Sequence, residues 1–267
     1  MHAADPIRWP LEAIWQAVEP RLPGFTCEVL PIVDSTNSEL MRRLKAGRLE
    51  PTLLVAEHQI AGRGRLGRPW HSRRGDSLMF SLGLPLAPSN WSGLSLAVGV
   101  SLATSLEAAS NSNALIGLKW PNDLWITLNN TDRKLGGILV ETAVFEGQRY
   151  VVIGVGINIK TVEFAVHQGA AVAPACVQDV QSQADVTTAL MQLAAPLVQT
   201  VQAFEQFGFA PFQARFAQRD VLAGRQVQLS DGSHGQAFGV TETGALLVHT
   251  SVGMKEITSS EVSVRPC

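Results

Sequence analysis

The stretch Gly62-Arg63-Gly64-Arg65-Leu66-Gly67-Arg68-Pro69-Trp70 sets the expectations for the rest of the chain. Three glycines and three arginines are interleaved before the run closes on a proline and a tryptophan. Glycine lets the backbone approach a ligand closely, and the arginine guanidinium matches carboxylate or phosphate groups. The stretch therefore predicts a loop that handles an anionic ligand.

Residues 62–67 also satisfy the G-x-G-x-x-G spacing of dinucleotide-binding loops. That fingerprint requires its third glycine to open a helix, whose N-terminus then holds a pyrophosphate. Pro69 and Trp70 follow at once, and no helical period appears before Ser77. A dinucleotide site is therefore disfavoured, as is a Walker loop, because Gly-Lys-Ser/Thr is missing. A solvated, arginine-rich surface loop remains the plain alternative.

The overall composition is that of a globular protein. The chain has 267 residues, of which 46% are hydrophobic and 16% charged, with a formal net charge of −2. This charge disfavours a general nucleic-acid binder. Three widely spaced cysteines predict neither a disulfide framework nor a zinc site. Since neither a leader peptide nor an apolar run of membrane-spanning length is recognised, we expect a cytoplasmic protein without membrane contact.

The pattern of apolar residues predicts an α+β fold, with a mixed or antiparallel sheet flanked by helices. Helices are expected over 7–22, after Asp34-Ser35-Thr36-Asn37 up to Gly47, over 94–108, over 186–207 with a kink or two helices at Pro196, and over 212–219; strands are expected over 27–33, 52–57, 77–85, 118–126, 135–142 and 150–159. Short polar turns join the last three strands, which requires antiparallel neighbours. Residues 160–183 read as a loop or a broken helix.

The pattern of apolar segments and turns changes after Gly224. Short apolar segments alternate there with turns such as Asp231-Gly232-Ser233 and Thr243-Gly244, which predicts a small β-barrel. Because so small a unit buries little surface, we expect it to dock on the main domain. The expected domains are residues 1–220 and 221–267.

Two further segments combine charged residues with apolar or glycine-rich surroundings. Lys119-Trp120-Pro121-Asn122-Asp123 has apolar flanks, so Lys119 and Asp123 are expected to be partly buried, either as an ion pair or as part of a site. Lys134-Leu135-Gly136-Gly137-Ile138-Leu139-Val140-Glu141 places two glycines just inside a strand. A site built from Arg, Lys, Gly and one Asp suits phosphoryl or nucleotidyl chemistry.

Gly154-Val155-Gly156-Ile157-Asn158 repeats the glycine pattern on the next strand. Glycines on two adjacent strands predict a floor for a flat ligand, with β-bulges as the alternative. Asp34-Ser35-Thr36-Asn37 reads first as a helix start, in which Thr36 and Glu39 would form a capping box. The same helix N-terminus could hold a polar ligand group.

Together these five segments resemble the motifs of biotin–protein ligases. They match the family patterns DSTN, GRGRxGRxW, KWPND, KLxGILxE and GxGIN, in that order, over about residues 30–160. The resemblance implies a class II synthetase-like ligase core followed by a small SH3-like barrel. It also implies an enzyme that joins biotin to a lysine of a biotin carboxyl carrier domain, such as that of acetyl-CoA carboxylase, through biotinyl-5′-adenylate.

The resemblance further implies the substrates and the residues that hold them. ATP, Mg²⁺ and biotin would be required, and a homodimer is left open. Biotin would be held by Ser35, Thr36, Asn37, Gln59, Arg63, Gly64, Arg65, Lys134, Gly136 and Gly137. ATP and the adenylate would contact Arg65, Arg68, Trp70, Lys119, Asn122, Asp123 and Asn158. Catalysis would fall to Arg63, Lys134, Asp123 and Lys119, with Asp123 holding Mg²⁺ or orienting Lys119, and no structural metal is expected.

The sequence is also compatible with three rival functions. A lipoate–protein ligase would share the catalytic fold, and a non-catalytic biotin-binding protein would share the pocket. A nucleic-acid-binding module could use the arginines of residues 63–74, although the net charge speaks against it. Repressor members of the family carry an N-terminal helix-turn-helix domain, and here the motifs already begin at Asp34, so DNA binding is not expected.

Overall fold

The computed structural model describes residues 6–108, 115–161, 172–258 and 264–266. A mixed seven-stranded sheet has the order β1-β2-β3-β7-β6-β5-β4. Its strands are β1 (Thr26–Val33), β2 (Thr52–Gln59), β3 (Ser77–Pro85), β4 (Ile116–Lys119), β5 (Asp123–Leu128), β6 (Thr131–Phe145) and β7 (Gln148–Asn158). Only β1 and β2 pair in parallel among these described strands. The expected α+β architecture is confirmed.

Helices cover both faces of this sheet. They are α1 (Leu11–Val18), α2 (Thr36–Lys45), α3 (Leu94–Ala108), α4 (Val186–Phe207) and α5 (Ala210–Ala217). Because side chains alternate along a strand, Leu53 and Val55 of β2 join the large core formed with α1, α3, α4 and α5. Leu54 points the other way and packs with Leu40 and Leu44 of α2. Within the described ranges, no helix has both the length and the apolar character that a membrane span requires.

The start of α2 differs from the expectation. The N-cap residue is Ser35, and its side chain makes no capping hydrogen bond. Glu39 pairs instead with two arginines of the same helix. The backbone N–H and the hydroxyl of Thr36 both point to Gln59 Oε1, at 2.8 and 3.2 Å. The predicted Thr36–Glu39 capping box is therefore wrong, because both side chains are engaged elsewhere.

The single strand expected over 118–126 is also wrong. β4 ends at Lys119 and β5 begins at Asp123, and the two strands form an antiparallel pair in which these residues face each other. The intervening turn contains Pro121, which has no N–H to donate to a ladder. The turn thereby brings the two charged residues of this segment side by side.

Helix ends follow proline and polar caps. α1 is shorter than the helix expected over 7–22, since Pro20 cannot continue it. α4 begins after Asp185, whose carboxylate accepts hydrogen bonds from two backbone N–H groups, and it runs through Pro196 as one helix. The alternative of two helices is wrong. Of the segment 160–183, residues 162–171 lie outside the described residues, and Val177–Asp179 forms a 3₁₀ turn.

A second, antiparallel sheet follows α5, and its form fits the expected SH3-like barrel. It has the order β11-β10-β9-β8-β12, with strands β8 (Gln226–Leu229), β9 (His234–Val240), β10 (Leu246–Thr250), β11 (Gly253–Ile257) and β12 (Val264–Pro266). The two sheets lie on either side of the division expected at residues 220 and 221, which itself stays a prediction.

The C-terminal sheet docks on the main core, as expected. Its Val227 and Val248 belong to the same apolar cluster as the helices behind the large sheet. The indole N–H of Trp120 donates to Gly244 O at 3.1 Å. A Cβ on Gly244 would lie 2.7 Å from Gly93 Cα, so the two glycine backbones touch.

Candidate active site

A cavity of about 210 Å³ opens on the α2 face of the seven-stranded sheet, beyond the N-terminus of that helix. Every site residue predicted from the sequence lines this cavity except Gly136 and Asn158. The five motifs, which are spread over more than a hundred residues of chain, are therefore brought to one place by the sheet order. The structure supports a single site and leaves the role of each residue as a prediction.

The floor of the cavity is strand backbone without side chains. A Cβ on Gly154 would lie 2.2 Å from Asn37 Oδ1, and a Cβ on Gly156 would lie 2.6 Å from Trp70 Cε2. These two glycines are required because Asn37 and Trp70 pack directly on the backbone of β7. The pairing of β6 with β7 shows no register shift, so the bulge alternative fails for the β7 glycines.

Gly136 lies inside the sheet and not at the cavity wall. A Cβ there would come within 2.6 Å of Gly156 O on the neighbouring strand. The β5–β6 register shifts beside it, as a bulge would require. Gly136 therefore shapes the strand pairing behind the floor, and its predicted contact with biotin stays a prediction.

A polar cluster at the start of α2 forms one end of the cavity. Asn37 Nδ2 donates to Glu141 Oε2 at 2.8 Å and to Leu139 O at 3.3 Å. Ser81 Oγ lies 2.6 Å from both Asn37 Oδ1 and Thr36 Oγ1, and Ser81 is fully buried. These groups are fixed by one another, so the cluster is organised without a ligand.

Ser81 and Glu141 were missing from the residues predicted for the site. Glu141 ends the segment that begins at Lys134, and a lone carboxylate at the end of an apolar strand was a usable signal. Ser81 is a single hydroxyl within the apolar strand β3, and such a buried polar group needs partners. Neither signal names the partner, which comes from a distant part of the chain.

The Gly/Arg loop, residues 62–70, closes on itself as a small hairpin. Gly64 N donates to Arg68 O at 2.7 Å and Trp70 N donates to Gly62 O at 2.8 Å. Between these arms, residues 65–67 form a 3₁₀ turn in which Leu66 and Gly67 both have positive φ, at 56° and 68°. The two arms therefore move together, and a contact that fixes one arm fixes the arginines at the tip.

A cationic cluster forms the other end of the cavity. Asp123 Oδ1 lies 2.8 Å from Lys134 Nζ. Burial lowers the pKa of Lys119 to about 8, against the opposing pull of Asp123, and Lys134, Arg68 and Arg65 lower it further. Burial also lowers the pKa of Arg65. One carboxylate among four cations leaves a net positive site that favours a polyanion.

The predicted orientation of Lys119 by Asp123 is not what the contacts show. The carboxylate of Asp123 forms its ion pair with Lys134, while Lys119 Nζ donates to Trp120 O at 3.3 Å. Lys119 Nζ also lies 5.7 Å from the centroid of the Trp125 ring. Asp123 therefore orients Lys134, and the Lys119–Asp123 ion pair considered as an alternative is not the pairing in this structure.

Asn158 sits behind the cavity. Its Nδ2 donates to Ala175 O at 3.0 Å and to Lys134 O at 3.5 Å. The backbone of Lys134 is held further by Ala173 O and Ala175 N, each at 2.8 Å. These contacts brace the strand that carries Lys134, and the predicted contact of Asn158 with the adenylate stays a prediction.

Comparison with known proteins places this site in a family. The chain matches the biotin/lipoate A/B protein ligase family over residues 29–158 and the biotin protein ligase C-terminal domain over residues 223–265. The bifunctional ligase/repressor BirA of Escherichia coli is 35% identical over 257 residues, which cover 92% of this chain and 76% of that protein. The biotin–[acetyl-CoA-carboxylase] ligase of Paracoccus denitrificans is 31% identical over 245 residues, or 88% of this chain and 98% of that protein.

A solved structure agrees with these relatives. The biotin protein ligase of Aquifex aeolicus in complex with biotin and ATP is similar with a TM-score of 0.75 and 29% identity, covering 90% of this chain and 99% of that one. A ligase core followed by an SH3-like domain is thus the shared architecture. The chain belongs to the biotin–protein ligase family, and the resemblance inferred from the five motifs is confirmed.

Proposed function

We propose that this protein activates biotin with ATP and transfers it to a lysine of a biotin carboxyl carrier domain. The observation that carries the proposal is the cavity itself. It joins a preorganised polar cluster to a cationic cluster across a bare backbone floor, under a hairpin loop rich in arginine. A neutral, hydrogen-bonding ring fits the first end and a polyphosphate fits the second.

In the first half-reaction, a carboxylate oxygen of biotin attacks the α-phosphorus of ATP. The bond to the bridging oxygen breaks, pyrophosphate leaves and biotinyl-5′-adenylate forms. Because two anions must meet, cations placed between them supply most of the catalysis. Arg63 and Lys134 are assigned to the carboxylate and the α-phosphate. Arg68 and Lys119 are assigned to the phosphates, and Trp70 and Asn122 to the adenylate.

In the second half-reaction, the uncharged amine of the carrier lysine attacks the acyl carbon of the mixed anhydride. The amide bond forms, AMP leaves with the bonding electrons, and the amine loses a proton. The anhydride must be kept from water until the carrier arrives. The hairpin at residues 62–70 is placed to shield it, as closing loops do in other enzymes.

Magnesium is assigned to the triphosphate and not to a resident site. The described residues hold no group of three or more His, Cys, Asp or Glu side chains that could bind a metal, and Asp123 is the one carboxylate among the described lining residues. Mg²⁺ commonly binds through one or two carboxylates plus substrate phosphates, so this donor set fits. When bound, the ion would neutralise phosphate charge.

The polar cluster is assigned to the biotin ring. Gln59 Oε1 accepts hydrogen bonds from the backbone N–H and the hydroxyl of Thr36. The amide N–H groups of Gln59 are then left for a carbonyl acceptor. Ser35 lies beside them, buried at the N-terminus of α2. A ring that both donates and accepts hydrogen bonds through one small polar group fits this arrangement.

The experiment is a labelling assay with purified protein, ATP, Mg²⁺ and a biotin carrier domain. We expect incorporation of biotin at one lysine, pyrophosphate release, and no label when ATP is omitted or when the acceptor lysine is replaced by arginine. Absence of both label and pyrophosphate release with an active carrier would refute the proposal. Pyrophosphate release without any label would leave adenylation but reject this carrier as the partner.

Lipoate is the rival acid, because the matching family model covers biotin and lipoate ligases alike. The Paracoccus denitrificans relative and the Aquifex aeolicus structure are named for biotin, which favours biotin here. Competition in the same assay separates the two: a tenfold excess of lipoate should leave biotin incorporation unchanged. A homodimer stays a prediction, which sedimentation with and without biotin and ATP would test.

A further inference from the structure

We propose that Glu141 is a positioning residue that fixes Arg63, and through it the Gly/Arg loop, over the cavity. The inference rests on the proposed function, because it concerns how the same site holds its ligands. Glu141 lies on β6 and outside the loop, 78 residues further along the chain than Arg63. The proposed activation and transfer of biotin give Glu141 no role of its own.

The contact between these two residues is bidentate. Arg63 Nη1 and Nη2 lie 3.1 Å from the two carboxylate oxygens of Glu141. Arg63 Nε donates to Ser38 Oγ, also at 3.1 Å. A guanidinium has five N–H donors in a rigid fork, so two N–H groups remain that can face an anionic ligand. The fork is thus aimed by the protein while part of it is kept for the substrate.

Glu141 is itself held in place from behind. Its Oε2 accepts the hydrogen bond from Asn37 Nδ2 at 2.8 Å, and Asn37 Oδ1 lies 2.6 Å from Ser81 Oγ. Asn37 is only 3% exposed. The amide nitrogen and the amide oxygen of Asn37 both form hydrogen bonds within the protein. Asn37 therefore acts on the site by holding Glu141 in place. A continuous chain of contacts therefore runs from buried Ser81 through Asn37 and Glu141 to Arg63.

The loop transmits this constraint to its tip. Arg63 pairs with Pro69 as an isolated β-bridge, and Gly64 N donates to Arg68 O. Because the arms of the hairpin are joined, fixing Arg63 also restricts Arg65 and Arg68. Loss of Glu141 should therefore loosen all three arginines at once.

The pair orients the loop more than it stabilises the fold. The side chains of Arg63 and Glu141 are 37% and 25% exposed, and ion pairs this accessible contribute little to unfolding free energy. Bidentate geometry, by contrast, defines direction. Kinetic effects without a matching loss of stability are the signature that separates positioning from a structural role.

The test is the Glu141→Gln variant in the adenylation half-reaction, which is measured as pyrophosphate released from biotin and ATP. Glutamine keeps the volume and one oxygen acceptor for Asn37 but removes the charge that aligns Arg63. We expect KM for biotin to rise about three- to tenfold and bound biotinyl-adenylate to leak faster by a similar factor, with an unchanged melting temperature. Trypsin should also cut the ligand-free loop after Arg63 faster than in the wild type.

The matched control is Glu28→Gln, which removes a carboxylate paired with Arg43 at 2.9 Å, and neither residue lines the cavity. We expect wild-type kinetics and wild-type loop cleavage from it. Glu141→Gln should also have no further effect in a protein that already carries Arg63→Gln, because Glu141 acts through Arg63.

Three outcomes would overturn the inference. Glu141→Gln could leave KM, leakage and loop cleavage unchanged, it could tighten biotin binding, or it could be as harmful without Arg63 as with it. Failure of the wild-type protein to release pyrophosphate would instead refute the proposed function. The two failures are therefore distinguishable in one set of measurements.

Discussion

The two faces of strand β7 show how one element supports both a core and a site. Ile153 and Ile157 point to the main core and are fully buried among the helices behind the sheet. Gly154 and Gly156 point to the other face, where Asn37 and Trp70 pack on the bare backbone. Because alternate residues face opposite sides, one ladder fixes both surfaces. Changes on the two faces should therefore have different consequences.

The largest effect is expected on the packed face. Ile153→Ala removes a fully buried side chain from the middle of the sheet and should lower the free energy of unfolding by about 3–4 kcal/mol. The cavity face keeps its shape, so KM for biotin should stay within about twofold at a temperature where the variant is folded. Urea unfolding and adenylation kinetics measure the two quantities. A large rise in KM with little loss of stability would contradict the division between faces.

The opposite signature is expected from the neighbouring residue. A Cβ at position 154 would lie 2.2 Å from Asn37 Oδ1, and Asn37 cannot retreat without breaking its hydrogen bonds to Ser81 and Glu141. Gly154→Ala should therefore weaken biotin binding about a hundredfold, or about 2.7 kcal/mol. Titration calorimetry with biotin tests this, and Ile153→Ala is the matched variant from the other face. Wild-type affinity would show that Asn37 does not shape the biotin end of the cavity.

A smaller effect, a dependence of activity on pH, is expected from the buried charge of Lys119, in contrast to the apolar side chains behind the sheet. Burial lowers the pKa of Lys119 to about 8, so the side chain is charged below that pH and loses its charge as the pH rises through it. The ratio kcat/KM for ATP in the adenylation half-reaction should fall about three- to tenfold between pH 7 and pH 9. Lys119→Arg keeps its charge and should flatten that fall. An equal fall in both proteins would assign it to another group.

Much of the site could be predicted because several motifs sit at the end of a regular element. Lys119 and Asp123 lie at strand termini, and Ser35 to Asn37 open a helix, so a pattern of local residues already marks them. Lys134 lies inside β6, where the two glycines that follow it mark the segment. Sheet order then collects these ends at one cavity. The glycines of β7 were equally visible, since a side chain there was the more ordinary choice for a strand.

What escaped prediction depends on partners far away in sequence. The capping box of Thr36 and Glu39 was locally sound, but Gln59 captures Thr36. The ion pair of Asp123 goes to Lys134 and not to its strand partner Lys119. Glu141 of β6 meets Arg63 of the loop only in the folded chain, because 78 positions separate them in sequence. Such choices follow from tertiary distances, which local periodicity does not contain.

The hydrogen bond from Trp120 to Gly244 has a consequence for how the protein can be shortened. The indole is completely buried, and the residues on either side of its segment, Lys119 and Asn122, line the cavity. A fragment that stops near residue 220 would uncover this tryptophan and release the turn that carries them. The small C-terminal sheet therefore helps to stabilise the site. Its removal would disorder the turn that carries Lys119 and Asn122, although every lining residue would still be present in the sequence.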